Sequence, residues 1–152
     1  MINLRDMLNQ ETILLQAEAD DWQAAVRLGG QLLIDSGVAE PRYIDAIIQC
    51  TIEFGPYYVL APGLAMPHAR PEHGVKKTGF SLMTLRTPVP FGHTENDPVD
   101  ILIFLAAADS SSHLEAMSQI VTVFSDDEAF AKIRQAKDAN QINELLNQMV
   151  DI

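Results

Sequence analysis

The residues from Asp100 to Ala107, D-I-L-I-F-L-A-A, constrain the fold more than any other stretch of the chain. The run is continuously apolar after its first residue, with Pro98 before it and Asp109 after it. Such a run is typical of a β-strand covered on both faces, as in sheets that lie between layers of helices. It is far too short to span a bilayer as a helix. We therefore predict an interior strand of an α/β domain.

A second strand with apolar residues on both faces is predicted over Lys77–Leu85, and it also requires cover on two sides. Helical periodicity occurs between the predicted strands, and proline or glycine residues separate the elements. The other elements predicted before Asp100 are a strand over Thr12–Gln16, helices that begin near Asp20 and Pro41 and end near Gly37 and Gly55, short extended pieces between Tyr57 and Met66, and a loop over Thr87–Pro98.

Three helices are predicted after the apolar strand, each from a capping signal at its start. Ser112 with Glu115, and Ser125 with Glu128, have the spacing of a capping box, and Asp138 can cap the last helix. Strands interleaved with helices indicate an α/β fold, a sandwich of three layers with the sheet in the middle.

Composition limits the cellular context and the partners. The chain has 152 residues, a usual size for one core, so we expect a single domain over 1–152. Its net charge of −11 argues against nucleic acids and anionic membrane surfaces, and it suits proteins with basic faces. The single cysteine, Cys50, excludes an internal disulfide framework and suits a reducing compartment. No secretory signal is visible, so we expect a cytoplasmic protein with no membrane insertion.

The first candidate for chemistry is His68, in the segment L-A-P-G-L-A-M-P-H-A-R from Leu60 to Arg70. Pro67 restricts the backbone before the histidine, and Gly63 permits a turn that a side chain would block. The ordinary pKa of histidine lies nearest neutrality among side chains, so a neutral imidazole is available as a nucleophile. The alternative is a histidine in a proline-rich surface loop with no chemical role.

His113 is the second candidate because it lies between the most buried predicted strand and the start of a helix. In open α/β sheets, ligands bind at the carboxyl ends of the strands. A helix N-terminus also favours an anion through its free N–H groups and its macrodipole. A neutral His113 can donate a hydrogen bond to a phosphoryl group held there. The alternative is a solvated histidine at a helix start.

The sequence motifs give less support to metal-dependent, nucleotide-binding or serine-based chemistry. His68, Glu72 and His73 suggest a metal-dependent hydrolase, but their spacing is not the helical H-E-x-x-H pattern. Pro71 also interrupts them, so we expect no metal site, and we interpret His73 and His93 as solvated loop residues. The motifs of P-loops, dinucleotide sites and nucleophile elbows are absent from the sequence. A small binding module without chemistry is a further alternative.

Two segments carry a more specific pattern: L-A-P-G-L-A-M-P-H-A-R-P-E-H-G-V-K-K-T-G-F from Leu60 to Phe80, and D-P-V-D-I-L-I-F-L-A-A from Asp97 to Ala107, with S-S-H-L following at Ser111–Leu114. With these residues the chain resembles the IIA components of the bacterial phosphoenolpyruvate-dependent sugar phosphotransferase system, of the mannitol/fructose type (type 2). Within that group it is most similar to the ascorbate-specific IIA proteins. The resemblance covers essentially the whole chain.

The resemblance implies a mixed β-sheet with helices on both faces, and no cofactor. His68 matches the histidine that accepts a phosphoryl group from the carrier protein HPr and passes it to a cysteine of a IIB protein, which serves a membrane IIC permease. His113 matches the second active-centre histidine, which helps to hold the phosphoryl group. We expect Leu64, Met66 and Phe80 to exclude water around His68, and HPr to dock on exposed apolar residues there.

One departure from the family concerns a basic residue. Mannitol-type relatives usually carry an arginine late in the helix before the active segment, where this chain has C-T-I-E at Cys50–Glu53. We expect Arg70 to supply that charge and to bind the phosphoryl group. The resemblance leaves three matters open: a regulatory phosphoacceptor not coupled to transport, the choice between ascorbate and a related carbohydrate, and the oligomeric state, including a homodimer.

Overall fold

A computed structural model gives the fold and describes residues 3–149. The α-helices of this range are α1 (Leu4–Met7), α2 (Trp22–Asp35), α3 (Pro41–Phe54), α4 (Ser110–Phe124), α5 (Asp127–Gln135) and α6 (Ala139–Gln148). The strands are β1 (Ile13–Ala17), β2 (Val59–Ala61), β3 (Leu64–Ala65), β4 (Gly79–Val89) and β5 (Val99–Ala106). Within residues 3–149, no helix has the length and apolar character needed to cross a membrane.

The strands form one mixed sheet in the order β1-β4-β5-β3-β2. β1 runs parallel to β4, and β3 runs parallel to β5, whereas β4–β5 and β2–β3 are antiparallel pairs. β4 and β5 form the long central pair, with Gly79 opposite Ala106 and Thr84 opposite Ile101. The apolar run predicted as an interior strand therefore lies in the middle of the sheet.

Alternate side chains of β5 enter two separate cores, because successive residues of a strand point to opposite faces. Ile101, Ile103 and Leu105 pack with residues of α1 and of α4 to α6. Leu102, Phe104 and Ala106 pack with residues of α2 and α3. Helices thus cover both faces of the sheet, which confirms the three-layer α/β sandwich with a mixed sheet.

β4 continues into the stretch predicted as a loop. We predicted a loop over Thr87–Pro98, but Val89 still pairs with Val99. Pro88 has no N–H to donate, and a proline usually argues against a central strand. The pairing of β1 with β4, however, reaches only Leu85. Pro88 therefore lies where β1 no longer runs beside β4, and the prediction of a loop there was wrong.

Two of the three capping predictions were wrong in position. The cap of α4 is Asp109, whose carboxylate accepts a 2.7 Å hydrogen bond from the Ser112 N–H. The cap of α5 is Asp126 rather than Ser125. Asp138 caps α6 as predicted. Aspartate and serine are similarly good caps, so where both occur near a helix start the spacing alone does not identify the cap.

Candidate active site

The two candidate histidines meet at one edge of the sheet. β3 and β5 are parallel neighbours, so their carboxyl ends lie at the same edge, where α/β sheets place their ligands. His68 follows β3 after Met66 and Pro67, and His113 lies in the first turn of α4, after β5. The centroids of the two imidazole rings are 5.4 Å apart. The topology thus explains how residues distant in sequence come together.

Both imidazoles line a groove of about 1070 Å³. The last turns of α3 form one side of the groove, the loop after His68 forms another, and the start of α4 closes the third. Exposed apolar side chains occur here as expected: the exposed fractions are 69% for Phe54 and Leu114 and 45% for Tyr57. An apolar groove with a few convergent polar groups is typical of a binding or catalytic site.

The imidazole of His68 has one defined tautomer. Its Nδ1 lies 2.8 Å from the carbonyl oxygen of Met66. Because a carbonyl oxygen only accepts hydrogen bonds, Nδ1 must carry the proton of this pair. Nε2 then keeps its lone pair, so Nε2 is the atom of His68 that can attack an electrophile.

The environment of His68 also favours its neutral form. Burial is the main influence and lowers the pKa of the imidazole below its ordinary value. The hydrogen bond to the Met66 carbonyl acts in the opposite direction, and the nearby His113 lowers the pKa further. A lowered pKa means that protonation requires a lower pH, so the ring is neutral at pH 7.

Backbone hydrogen bonds and a buried tyrosine hold the loop around His68 against β5. The Leu105 N–H donates to the Pro67 carbonyl at 3.2 Å. The hydroxyl of Tyr43, a fully buried residue of α3, donates to the Leu105 carbonyl at 2.7 Å and accepts from the Ala69 N–H at 3.0 Å. These contacts connect the residues on each side of His68 with the strand that leads to His113.

A second tyrosine contacts His68 directly. The Tyr57 hydroxyl donates to the main-chain carbonyl of His68 at 2.6 Å. Its ring also lies edge-on to the imidazole, with the centroids 5.5 Å apart and an interplanar angle of 83°. The imidazole of His68 therefore contacts two rings, those of Tyr57 and His113.

The residues expected to exclude water have a different position. Leu64, Met66 and Phe80 are at most 3% exposed, and they belong to the core between the sheet and α4 to α6. Their side chains point into that core and not into the groove, so they support the backbone that leads to His68. The rings of Tyr57 and His113 are the neighbours that cover the imidazole itself.

Charged residues of both signs surround the groove. Arg70 lines it, but the Arg70 side chain is 80% exposed and lies 3.9 Å from the carboxylate of Glu72. Glu53, from the tetrapeptide where relatives usually carry an arginine, also lines the groove. Arg70 is therefore within the site, as expected, and it is not held in one position by a buried partner.

The start of α4 differs from the open anion site that we expected. The carboxylate of Asp109 accepts hydrogen bonds from the N–H and hydroxyl of Ser112, which lower the pKa of Asp109 and keep it charged at neutral pH. Asp109 also lines the groove. A carboxylate that caps this helix offsets part of the positive field, so an anion near His113 depends more on side chains than on free N–H groups.

The remaining histidines do not form a metal centre with the described residues. His73 is half-buried on a short 3-10 helix over Pro71–His73 and lines the groove, so it is not the fully solvated residue that we predicted. His93 is half-buried in the loop before β5, where its Nδ1 accepts from the Asn96 N–H at 3.1 Å. Across residues 3–149, no group of three or more His, Cys, Asp or Glu side chains has an arrangement that could hold a metal ion.

Sequence reasoning missed Tyr43 and Tyr57. Both bind main-chain groups of the His68 loop, and such contacts leave no pattern of spacing in the sequence. The one available signal was an amphipathic residue, Tyr57, at the start of the extended segment that leads to His68. From the sequence, this residue is predicted only to begin a short extended piece.

The mixed sheet with helices on both faces is a fold shared with the IIA class of phosphotransferases. Residues 6–149 match the family model described as phosphoenolpyruvate-dependent sugar phosphotransferase system, EIIA 2, and the chain belongs to this family. It is therefore a phosphotransferase, and it acts in the relay of phosphoryl groups that accompanies sugar uptake.

Individual relatives agree with the family assignment. The ascorbate-specific PTS system EIIA component of Escherichia coli (strain K12) is 51% identical over 148 residues, 96% of each chain. A crystal structure described as PTS IIA (PtxA) from Streptococcus mutans has a TM-score of 0.90 at 40% identity, over 97% of this chain and 94% of that one. The enzyme IIA mannitol of E. coli, solved in complex with phosphorylated IIB mannitol, has a TM-score of 0.81 at 25% identity, over 93% and 97% of the chains.

Proposed function

We propose that this chain, as a single domain over residues 1–152, carries phosphoryl groups on His68 in the cytoplasm. It accepts them from phosphorylated HPr and passes them to a cysteine of a IIB protein, which serves a IIC permease for ascorbate or a related carbohydrate. The observation that carries the proposal is the state of His68: a neutral imidazole with its Nε2 lone pair available, in a groove that it shares with His113. The substrate class follows from the likeness to the ascorbate-specific EIIA component of E. coli.

Each transfer exchanges one bond to phosphorus for another. In the first, Nε2 of His68 attacks the phosphorus of the phosphohistidine of HPr, a new P–N bond forms, and the P–N bond to HPr breaks with its electron pair returning to the HPr imidazole. In the second, a thiolate of IIB attacks the phosphorus, a P–S bond forms, and the P–N bond to His68 breaks with its electron pair returning to Nε2. The proton of His68 stays on Nδ1, hydrogen-bonded to the Met66 carbonyl, throughout, so neither step changes the number of protons on His68.

His113 and Arg70 are the groups that we propose to stabilise the bound phosphoryl group. A phosphorylated side chain carries a charge of about −1.5 to −2 at neutral pH. His113 lies 5.4 Å from His68 between ring centroids, so a phosphoryl group on Nε2 can accept a hydrogen bond from it. The Arg70 side chain is 80% exposed, so it has room to turn toward the same group. Phosphoryl transfer depends mainly on such positioning and charge stabilisation.

The decisive experiment is phosphorylation in a reconstituted relay. The protein is incubated with phosphoenolpyruvate, enzyme I and HPr, and mass spectrometry then locates the modification. We expect one acid-labile phosphoryl group on His68, its absence in His68→Ala, and its retention in His93→Ala, whose histidine lies in the loop before β5. Phosphorylation of another residue, or full phosphorylation of His68→Ala, would contradict the proposal.

A second stage tests the acceptor and the proposed partners. Phosphorylated protein is mixed with the IIB protein of an ascorbate system, and loss of the phosphoryl group from His68 should accompany its appearance on a IIB cysteine. A protein that is phosphorylated but never passes the group on would instead match the regulatory phosphoacceptor. The mass of the protein in solution, measured with and without phosphorylation, distinguishes a monomer from a homodimer.

A further inference from the structure

Tyr57 makes two separate contacts with the proposed nucleophile, and the relay chemistry described above uses neither. Its hydroxyl donates to the main-chain carbonyl of His68 at 2.6 Å. Its ring meets the imidazole edge-on at 5.5 Å between centroids. The same side chain thus restrains both the backbone and the ring of one residue, although it is 45% exposed at the rim of the groove.

The hydrogen bond that the Tyr57 hydroxyl donates favours a role in positioning His68 over a role in binding the phosphoryl group. It donates its hydrogen to a backbone carbonyl, so it has no second proton to offer to a phosphoryl oxygen. Burial of the phenol raises the pKa of Tyr57 to about 12, so the hydroxyl keeps its proton at cellular pH. The Tyr57 hydroxyl is therefore a neutral group that keeps its proton and can donate it in a hydrogen bond to the His68 main chain.

Two other groups contact the imidazole. Nδ1 donates to the Met66 carbonyl at 2.8 Å, and the ring of His113 lies 5.4 Å away between centroids. Rotation of the His68 ring, or movement of its main chain, would weaken the Met66 hydrogen bond that selects the tautomer. Tyr57 opposes both movements, because its hydroxyl fixes the main chain while its ring limits the space beside the imidazole.

We propose that Tyr57 is a positioning residue for phosphoryl acceptance: its hydroxyl fixes the main chain of His68, and its ring limits the plane of the imidazole so that Nε2 faces the incoming phosphorus. The inference rests on the proposed function of His68. In-line transfer requires the reacting atoms at a close and aligned approach, and small misplacements reduce the rate even when binding is unchanged.

The other tyrosines provide the comparison that the test needs. Tyr43 also binds the His68 loop, but it is fully buried, so its substitution would combine positioning with folding. Tyr58 is equally buried, and its hydroxyl pairs with the Thr51 hydroxyl at 2.8 Å, with both groups in the core beside α3. Tyr58→Phe therefore removes one tyrosine hydroxyl next to Tyr57 and leaves the hydrogen bond to His68 intact.

The first readout is the steady-state rate of phosphorylation by phosphorylated HPr. We expect Tyr57→Phe to lower kcat by roughly three- to ten-fold, the size that loss of one neutral hydrogen bond supports, with KM for phosphorylated HPr unchanged. Tyr58→Phe should lower the melting temperature and leave kcat unchanged. A rise in KM or a fall in stability without a fall in kcat for Tyr57→Phe would overturn the proposal.

The second readout needs no phosphoryl transfer. In ¹⁵N-detected NMR of the imidazoles, the wild-type protein should show His68 in the Nδ1–H tautomer, whereas Tyr57→Phe should show a mixture of tautomers. Tyr57→Leu also removes an aromatic ring in contact with the imidazole and exposes more of it to water, so the pKa of His68 should rise toward its ordinary value, because burial is the main cause of its lowering. Tyr58→Phe should leave both the tautomer and the pKa unchanged.

The two proposals fail in different ways. If wild-type protein accepts no phosphoryl group on His68, the proposed function is wrong, and the NMR readout still decides whether Tyr57 positions the ring. If wild-type protein is phosphorylated normally and Tyr57→Phe matches it in kcat and in tautomer, the positioning role alone is wrong.

Discussion

At the scale of single residues, the reactivity that we propose for His68 depends on three features of its surroundings. Burial lowers the pKa of the imidazole and keeps it neutral, which preserves a nucleophile at pH 7. The Met66 carbonyl holds the proton on Nδ1, which leaves Nε2 as the attacking atom. The ring of His113 provides a polar neighbour on the groove side. Burial is therefore the main cause of neutrality, the Met66 carbonyl selects the tautomer, and His113 adds to the lowering of the pKa.

The charge of Arg70 is the residue-scale feature that mutagenesis can test most directly. Arg70 lines the groove, whereas Lys77 follows the loop and precedes β4 without lining it. A guanidinium near the transferred group stabilises its charge, and an exposed cation farther away is screened by solvent. We expect Arg70→Ala to slow phosphorylation of His68 by roughly ten-fold, as loss of a charge-assisted hydrogen bond supports, as measured in single-turnover reactions with phosphorylated HPr.

Lys77→Ala is the matched control, because it removes one positive charge from the same loop region and leaves the net charge equal to that of Arg70→Ala. We expect little change in rate. Equal losses in the two variants would show that only the overall charge matters, and Arg70 would then have no specific role in binding the phosphoryl group.

The sequence identified the two histidines but not the residues that hold them. Pro67 before His68, and the helix start after the apolar strand for His113, are local signals that a single sequence displays. The hydroxyls of Tyr43 and Tyr57 bind main-chain groups across the fold, so their roles depend on tertiary geometry that no local spacing records.

At the scale of elements, the site depends on the parallel pairing of β3 with β5. β3 has only two residues, too few for any periodicity, yet it aligns Leu64 with Ile101 and Ala65 with Leu102. This short pairing sends the chain after β3 and the chain after β5 to the same edge. The sequence predicted the long strands from their apolar runs, but it did not predict this order, because β4 separates β3 from β5 along the chain.

The packing of α2 on the sheet offers a test of the layer architecture. A Cβ atom added to Gly29 would lie 2.0 Å from Cε1 of Phe104, whose ring is fully buried on β5. The Ser81 hydroxyl of β4 also donates to the Gly29 carbonyl at 2.8 Å, so the helix backbone lies directly on the sheet. We expect Gly29→Ala to lower the free energy of unfolding by about 1–3 kcal/mol, the usual effect of overpacking a core, in urea unfolding followed by circular dichroism.

Gln31→Ala is the control on the same helix, since Gln31 is exposed and already carries a Cβ atom. Its effect should stay within about 0.5 kcal/mol, as for other surface substitutions. Alanine also stabilises a helix relative to glycine by up to about 1 kcal/mol. If Gly29→Ala had a free energy of unfolding equal to or above that of the wild type, α2 would not approach the sheet this closely.

At the scale of the whole molecule, net charge and exposed apolar surface are expected to have different roles in partner binding. A net charge of −11 attracts proteins with basic faces and makes their association sensitive to salt. The rim of the groove adds exposed apolar side chains, which include Phe54, Tyr57 and Leu114. Exposed apolar residues that surround a polar site are typical of a protein-binding surface. We therefore expect the charge to favour encounter with a partner and the apolar rim to favour a defined complex at His68.

Leu114 is the rim residue best suited to test this division. It directly follows His113 on α4, and its side chain is 69% exposed. Burying an exposed leucine against a partner contributes about 1.5–3 kcal/mol, which corresponds to a ten-fold or larger change in an equilibrium constant. We expect Leu114→Asn to raise KM for phosphorylated HPr by roughly ten-fold while kcat and the melting temperature stay close to those of the wild type.

Leu28→Asn is the matched substitution on α2, where Leu28 is 39% exposed and is not among the residues that line the groove. Both changes replace an exposed helical leucine by the same polar residue, so they share any cost in helix propensity and differ in their distance from His68. If apolar contact at the rim determines docking, only Leu114→Asn should raise KM, and the increase should persist at high salt, where attraction by net charge is screened. An increase in KM that disappears at high salt, or that Leu28→Asn reproduces, would show that docking depends on the charge of the whole molecule and not on the apolar rim.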